Sequence, residues 1–328
     1  MTSIVQTSRE YGVSNVASLV HVLGPGKPLQ FEDGYTHYIH PGALQGVNQI
    51  TIRGLKNAKI FFLTPLSGDV TLLAAYRDDT GVLNLIDCDN VLISNLVAEN
   101  RREFSSSASN MIMESSNVVN VVKSKVAFEN CVLKSNGKLC FMAHTDSEVV
   151  IVNSTLDGYY FELFNAASKV ICENVVFDQS HPNPDSHSAL WVSSSHRRDG
   201  WNTLHENGET VIRKSKFNLE SGRTIVSGNG SYSTKSTVKI EDSEIKIESP
   251  TSGLCTWHKN FNSILMDIDD QSLLKSNLEL DRDYVATPNT GFARFCNYYQ
   301  PLTKDEVRPG GPNGESPIVV DDVSSADV

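Results

Sequence analysis

The sequence predicts an all-β chain wound into a parallel solenoid, and three observations predict it. A short pattern recurs seven times: Ile50–Leu55, Val91–Leu96, Val126–Cys131, Val149–Ser154, Val170–Val175, Val211–Lys216 and Val238–Ser243. Its fifth residue is Gly54, Asn95, Asn130, Asn153, Asn174, Ser215 and Asp242, at spacings of 41, 35, 23, 21, 41 and 27 residues. These residue types accept left-handed backbone or hydrogen-bond a neighbouring amide at a sharp bend. The third observation is composition: 38 Ser and 26 Asn in 328 residues suit turns and half-buried strands far better than helices.

Taken in chain order, Val16–Leu23 reads as an amphipathic helix ended by Gly24, Pro25 and Gly26, and Leu29–Ile39 reads as the first strand region. A second strand precedes each later copy of the pattern. These are Leu83–Ile86, Met111–Glu114, Leu139–Met142, Phe161–Phe164, Ala189–Val192, Thr224–Ser227 and Leu254–Trp257. Their first and third residues are mostly apolar and are expected to face inward with period two. Strand, corner, strand and Asn bend, repeated every 20-odd residues, describe coils that stack so that equivalent side chains form columns. Asn95, Asn130, Asn153 and Asn174 are expected to form one such ladder.

The Val-x-Ile-x-Asn-x-x-apolar repeat resembles the right-handed parallel β-helix of the pectate-lyase-like superfamily, which includes polysaccharide lyases, polygalacturonases and phage tailspike depolymerases. Tyr11, Gly12 and Val13, the helix over Val16–Leu23 and the Gly-Pro-Gly break are similar to the helix-capped start of such solenoids. A cap is physically required, because a bare first coil exposes an apolar cross-section and unpaired strand edges. The expected organisation is a cap and first strand over 1–40, a β-helix over 41–300 with an insertion at 178–209, and an irregular acidic tail over 301–328.

Enzymes of this fold usually work on the outer face of one stacked sheet. The outward columns then read Asn84, Ile112, Cys140, Glu162, Leu190, Ile225, Cys255 and Ile86, Glu114, Met142, Phe164, Val192, Ser227, Trp257. Glu114 and Glu162 are the carboxylates among them, two coils apart. At about 4.8 Å per strand they fall within the roughly 5–9.5 Å that paired carboxylates need at a glycosidic bond. His144 is a candidate base, with Asp146 placed to orient it or to bind sugar. The insertion collects Trp201, His196 and Arg197, an aromatic face with hydrogen-bonding and cationic groups suited to a saccharide or uronate. The resemblance supplies no catalytic residue. The chain lacks the paired-Asp and Gly-His-Gly set of polygalacturonases, the Trp-x-Asp-His and spaced arginines of pectate lyases, and the pectin methylesterase signature.

Charge and hydropathy narrow the partners. A net charge of −11 without a basic cluster disfavours nucleic acid and anionic membranes, and no apolar run is long enough to span a bilayer. The insertion's His spacings fit no metal-ligand pattern, and neither a metal nor another cofactor is expected. Cysteines without CxxC pairing read as small core residues. Met1–Glu10 lacks a signal-peptide pattern, which predicts a cytoplasmic or virion-associated protein. Three readings stay open: a carbohydrate-active or carbohydrate-binding β-helix, lyase or glycoside hydrolase, acting on a polysaccharide; a non-catalytic virion or adhesion rod; or other enzyme chemistry, such as isomerisation or epimerisation, in the same groove. The outward apolar residues Ile86, Ile112, Met142, Phe164, Leu190, Val192 and Ile225 predict a covered strip, for which a homo-oligomer, such as a trimer, is one cover.

Overall fold

The structure, a computed structural model, describes residues 19–24, 29–70, 80–102, 117–137, 139–144, 146–159, 161–179, 188–193, 195–198, 202–205, 208–219, 224–229, 236–247 and 264–277. Three parallel sheets wind through them in the repeating order B, A, C. Sheet A holds ten strands: Leu19–Leu23, Tyr35–Ile39, Lys56–Phe62, Asp89–Ser94, Lys125–Glu129, Glu148–Val152, Lys169–Glu173, Gly208–Arg213, Ser236–Glu241 and Ile264–Ile268. Sheet B stacks Ile50–Arg53, Gly81–Ile86, Asn117–Val122, Leu139–His144, Phe161–Ala166, Ser188–Ser193 and Thr224–Asn229. Sheet C stacks Leu66–Gly68, Val97–Asn100, Val132–Ser135, Thr155–Asp157, Val176–Asp178, Lys216–Leu219 and Glu244–Ile247. Each strand pairs in parallel with its counterparts one coil before and after, which is the pairing of a parallel β-helix.

Alternation along each strand builds the interior. Ile60, Ile93, Phe128 and Ile151 of sheet A meet Leu85, Val121, Phe141 and Leu163 of sheet B and Ala98, Leu133, Leu156 and Phe177 of sheet C in one continuous core. Phe128 packs edge-on against Phe141 at 4.9 Å, and Phe177 stacks on Phe217 of the next coil at 4.6 Å. Each such side chain removed from water contributes about 1.5–3 kcal/mol. Cys88, Cys131, Cys140 and Cys172 are buried free thiols, and burial pushes Cys131 up to about 12, which suits small core residues rather than reactive ones.

The bends carry the expected left-handed residues, with two changes of register. Asn95, Asn130, Asn153, Asn174 and Asp242 all have φ near +50°, but at the 215 copy Lys214, not Ser215, occupies the bend. Ser215 instead aligns with Val175 one step inside the corner. The Ile50–Leu55 copy belongs to sheet B, pairing Ile50 with Leu83, so Gly54 bends the B-to-A corner and not the Asn corner. Side-chain bonding along the asparagines joins Asn174 to Asn153 at 2.8 Å. The longer ladders are serine ladders inside the two corners. At the A-to-C corner, Ser215, Ser243 and Ser272 each accept the backbone amide of the residue one coil earlier, at 2.9–3.1 Å. At the B-to-A corner, Ser124, Ser147 and Ser168 do the same for Cys88, Ser124 and Ser147.

The ends and one strand differ from expectation. Leu19–Leu23 is not helical: it is the first strand of sheet A, paired with Tyr35–Ile39, as its β-branched Val20 and Val22 favour. Residues 1–18 lie outside the described residues. A five-residue helix, Asp270–Leu274, follows the last strand, N-capped by Asp269, whose carboxylate accepts the Ser272 amide at 2.7 Å. The sheet B strand before Lys125–Glu129 is Asn117–Val122, not Met111–Glu114. No helix among the described residues is long and apolar enough to cross a membrane.

Candidate functional site

The outer face of sheet B differs from the columns expected of it. In the strand Ser188–Ser193, Leu190 and Val192 point into the core and Trp191 points out, the reverse of the expected frame. Ile225 also faces the core. The register across the outer face runs Thr51, Asn84, Asn120, Met142, Phe164, Trp191 in one column and Arg53, Ile86, Val122, His144, Ala166 in the next. Leu139, Phe161, Phe164, Ala166 and Trp191 form a separate buried cluster on this face, with Trp191 edge-on to Phe161 at 5.0 Å and stacked with Phe164 at 6.2 Å. The expected apolar strip is therefore half real. Met142 and Phe164 are outward and largely closed off, whereas Leu190, Val192 and Ile225 are core residues.

Glu162 is fully buried. Its neighbours in register are Cys140 and Ala189, both in the main core, because Phe161 pairs with Leu139 and Leu163 with both Phe141 and Leu190. The strand position next to Phe161 sits at the C-to-B corner, where the chain turns inward before alternation begins. This corrects the outward placement of the Glu162 carboxylate. Glu114 lies outside the described residues, and the strand position expected for it is filled by Asn117–Val122.

His144 closes its strand at the B-to-A corner, half-buried, with Nε2 3.1 Å from Oδ1 of Asn120 on the previous coil. The tautomer that donates from Nε2 carries its basic lone pair on Nδ1. Asp146 follows in the corner itself, exposed and with φ of 53°. Two coils further along the same corner, the chain leaves the stack after Ser193 and forms an antiparallel hairpin, Ser195–Arg198 with Asn202–His205, before returning at Gly208. His196 and Arg197 are on the outgoing strand of that hairpin, opposite Leu204 and Thr203. Trp201, in its connection, lies outside the described residues. At about 4.8 Å per coil, the hairpin's base stands roughly 10 Å from the His144 corner. The fold thus brings His144, Asp146 and the hairpin carrying His196 and Arg197 into one row.

A second polar group lies on the outer face of sheet A. Glu129 is 2% exposed, and neither of its carboxylate oxygens has a hydrogen-bond partner. Burial pushes the Glu129 carboxyl up to about 7, with the Lys59 charge pulling the other way. Lys59 is held below its ordinary value by its own burial, opposed by Glu129. Neither residue stood out in the sequence, since Glu129 is simply the fourth residue of one repeat copy. The fourth position is also charged in other copies, as Arg53, Glu173, Lys214 and Glu241, so that column does not single Glu129 out.

No family model matches the chain, and no curated protein matches it. Three solved structures are similar at the level of the whole chain. Pectin methylesterase PemA from Erwinia chrysanthemi has a TM-score of 0.45 at 9% identity, covering 72% of this chain and 80% of that one. Pectin methylesterase from carrot has a TM-score of 0.43 at 12% identity, covering 91% and 98%. The Escherichia coli protein described as ybhc has a TM-score of 0.42 at 9% identity, covering 83% and 82%. The fold stands on the strand pairing itself.

Proposed function

We propose that this chain acts on an acidic polysaccharide bound along the B-to-A corner, and that it cleaves the polymer by β-elimination. The observation that carries the reading is the shared row of His144, Asp146 and the hairpin bearing His196 and Arg197. Glycoside hydrolysis uses two carboxyl groups on either side of the bond. Among the described residues, the outward strand positions of sheet B carry no Asp or Glu, and Glu162 faces the core. Elimination asks for less: one base and one cation. His144 removes the proton on the carbon next to the uronate carboxylate, and Arg197 pairs with that carboxylate as charge develops on it. The electron pair of the broken C–H bond forms the new C=C bond, and the glycosidic C–O bond breaks with its electrons leaving on the departing sugar oxygen. Protonated His144, or water, then supplies the proton that completes that oxygen as a hydroxyl. Asp146, His196 and Trp201 serve as sugar-binding groups in this scheme.

The assay incubates the protein with acidic and neutral polysaccharides and follows 4,5-unsaturated uronate absorbance together with reducing ends. Elimination raises both, and His144→Gln abolishes the rise while the circular dichroism spectrum stays the same. Reducing ends without the absorbance make the protein a hydrolase and remove His144 as the eliminating base. Absence of both overturns the enzymatic reading.

The rod reading needs an apolar face left for partners to cover. Phe161, Phe164 and Trp191 are already buried within the chain, so sheet B supplies no such demand. Light scattering decides oligomeric state independently of the assay.

A further inference from the structure

The outer face of sheet A is closed over part of its length, and the strand register shows which part. One outward column begins Thr36, Lys59, Leu92, Ala127, Val150 and ends Lys239, Asp267. The next begins Val22, Tyr38, Phe61 and continues Ser94, Glu129, Val152. From Thr36 to Val150 in the first column, and from Ser94 to Val152 in the second, every residue is buried. At the ends, Val22, Lys239 and Asp267 are exposed. Leu92, Ala127, Val150 and Val152 pack into a cluster of their own, apart from the core. Leu92 and Lys59 have long side chains that would stand in water on a bare sheet, yet they are 3% and 8% exposed. Chain therefore lies over these strands.

The burial is a property of the single chain, so the covering segment belongs to it. Topology leaves few choices. From Lys56–Phe62 to Glu148–Val152, each strand of sheet A is joined to sheets B and C through corners of two or three residues, too short to fold back across the face. The hairpin Ser195–Arg198 with Asn202–His205 leaves the stack just before Gly208–Arg213, and its four-residue strands reach about 13 Å. Lys59 lies five strands away in the sheet order, at roughly 24 Å. The ends of the chain remain, residues 1–18 and 278–328. Residues 278–328 follow Asn277, which is bonded to Ile245 on sheet C at the far end of the stack. Their way to Lys59 along sheet A passes Asp267 and Lys239, which are exposed. Residues 1–18 lead into Leu19, the start of the strand beside Tyr35–Ile39, on the side of the first column. From there the five strands to Val150 span about 24 Å, the length of about eight extended residues.

We propose that the outer face of sheet A is a docking surface for the chain's own N-terminal segment, residues 1–18, which lies across it as a strap from Thr36 to Val150. Charge agrees with this choice. The strap meets Thr36 Oγ1 and both Glu129 oxygens with apolar atoms, since these have no hydrogen-bond partner. Residues 1–18 suit such a contact: Arg9 and Glu10 are their only charged side chains, and Ile4, Val5, Tyr11, Val13 and Val16 supply apolar surface. Residues 278–328 carry nine Asp and Glu against four Lys and Arg, an acidic excess that would be repelled by a Glu129 carboxylate. A seated strap also keeps this face from pairing with any other molecule.

The test uses the full chain and follows iodoacetamide alkylation peptide by peptide by mass spectrometry. Ala127→Cys places a small thiol under the strap, and Val132→Cys places one on the open face of sheet C. The thiol at position 127 is expected to react at least about tenfold more slowly than the one at position 132. Adding Val13→Asp or Val16→Asp puts a charge on the strap and should speed the reaction at position 127 about tenfold or more, while Cys88, Cys131, Cys140 and Cys172 stay unlabelled in the core. Phe292→Asp, in the other chain end, should leave it unchanged. Should Val16→Asp expose the core thiols as well, Tyr11→Asp, farther from the first strand, takes its place. Equal rates at positions 127 and 132 overturn the proposal, as does a rate that rises with Phe292→Asp or with none of the N-terminal substitutions.

Discussion

The outer faces of sheets A and C clad the same core yet solve opposite problems. Sheet C strands are three or four residues long, and their outward positions are Val97, Val132, Thr155, Val176, Lys216 and Glu244 beside Glu99, Lys134, Asp157 and Asp178. Val132 is 48% exposed, and the charges pair along the stack, Lys134 with Asp157 at 3.7 Å and Lys216 with Glu244 at 3.8 Å. On sheet A the equivalent central positions are closed, apolar and interrupted by unpaired polar groups. A face that only meets solvent can be built from charges that satisfy one another. Sheet A departs from that pattern where Thr36, Lys59, Ser94 and Glu129 are buried; elsewhere on the same sheet Lys125 pairs with Glu148 at 3.5 Å and Arg213 with Glu241 at 2.7 Å, as charges do on sheet C.

The sharpest way to break that contrast is to place a carboxylate on each face. Val150→Asp, on the closed face, should cost about 4 kcal/mol or more, because it buries a charge without a counterion. Val132→Asp should stay within about 0.5 kcal/mol. Urea midpoints of the two variants measure it; equal losses would mean that sheet A is as wet as sheet C.

Glu129 sharpens the comparison through pH. Its folded-state value lies near 7, above the ordinary 4.5, so the folded chain holds this proton more tightly than the unfolded chain does. Stability from this group is complete below about 4.5 and is lost as pH rises through 7. Glu129→Gln should remove that slope and be the more stable protein at pH 8.5. Parallel melting-temperature profiles for the two proteins from pH 5 to 8.5 would sink the assignment. The smallest effect belongs to sheet C: Lys216→Ala breaks the exposed pair with Glu244 and should barely move the urea midpoint, with any difference vanishing in added salt.

The repeat was legible because a parallel stack imposes the same residue type at the same corner, coil after coil. Asn95, Asn130, Asn153 and Asn174 announced their bends, since few side chains tolerate positive φ. What misled was the assumption of strict alternation up to the corners. Cys140 and Phe141, or Leu163 and its predecessor Glu162, are consecutive and both turned inward, since a strand entering from a corner has not yet taken up its pleat. That one-residue irregularity is enough to move Glu162 from the outer face to the interior and to exchange Trp191 with Leu190 and Val192. The helix expected over Val16–Leu23 failed for a different reason. Val20 and Val22 alternate on a strand as readily as they line a helix, and pairing with Tyr35–Ile39 decides between them. Lys59 and Glu129 escaped notice because their meaning lies in their absent partners, which a sequence does not show.

The serine ladders give the molecule a property beyond stability. Each rung takes one amide from the coil before and returns its own hydroxyl proton to a carbonyl of its own coil, as Ser215 does to Arg213 and Ser243 to Glu241. Among the described residues the last rung is Ser272, supplied by the helix Asp270–Leu274. Such a rung is indifferent to how many lie above or below it. The solenoid is therefore extensible: a coil duplicated whole, with a serine at each corner, slots between its parents with each hydroxyl already provided for, and the length of the rod can be reset without redesigning either end.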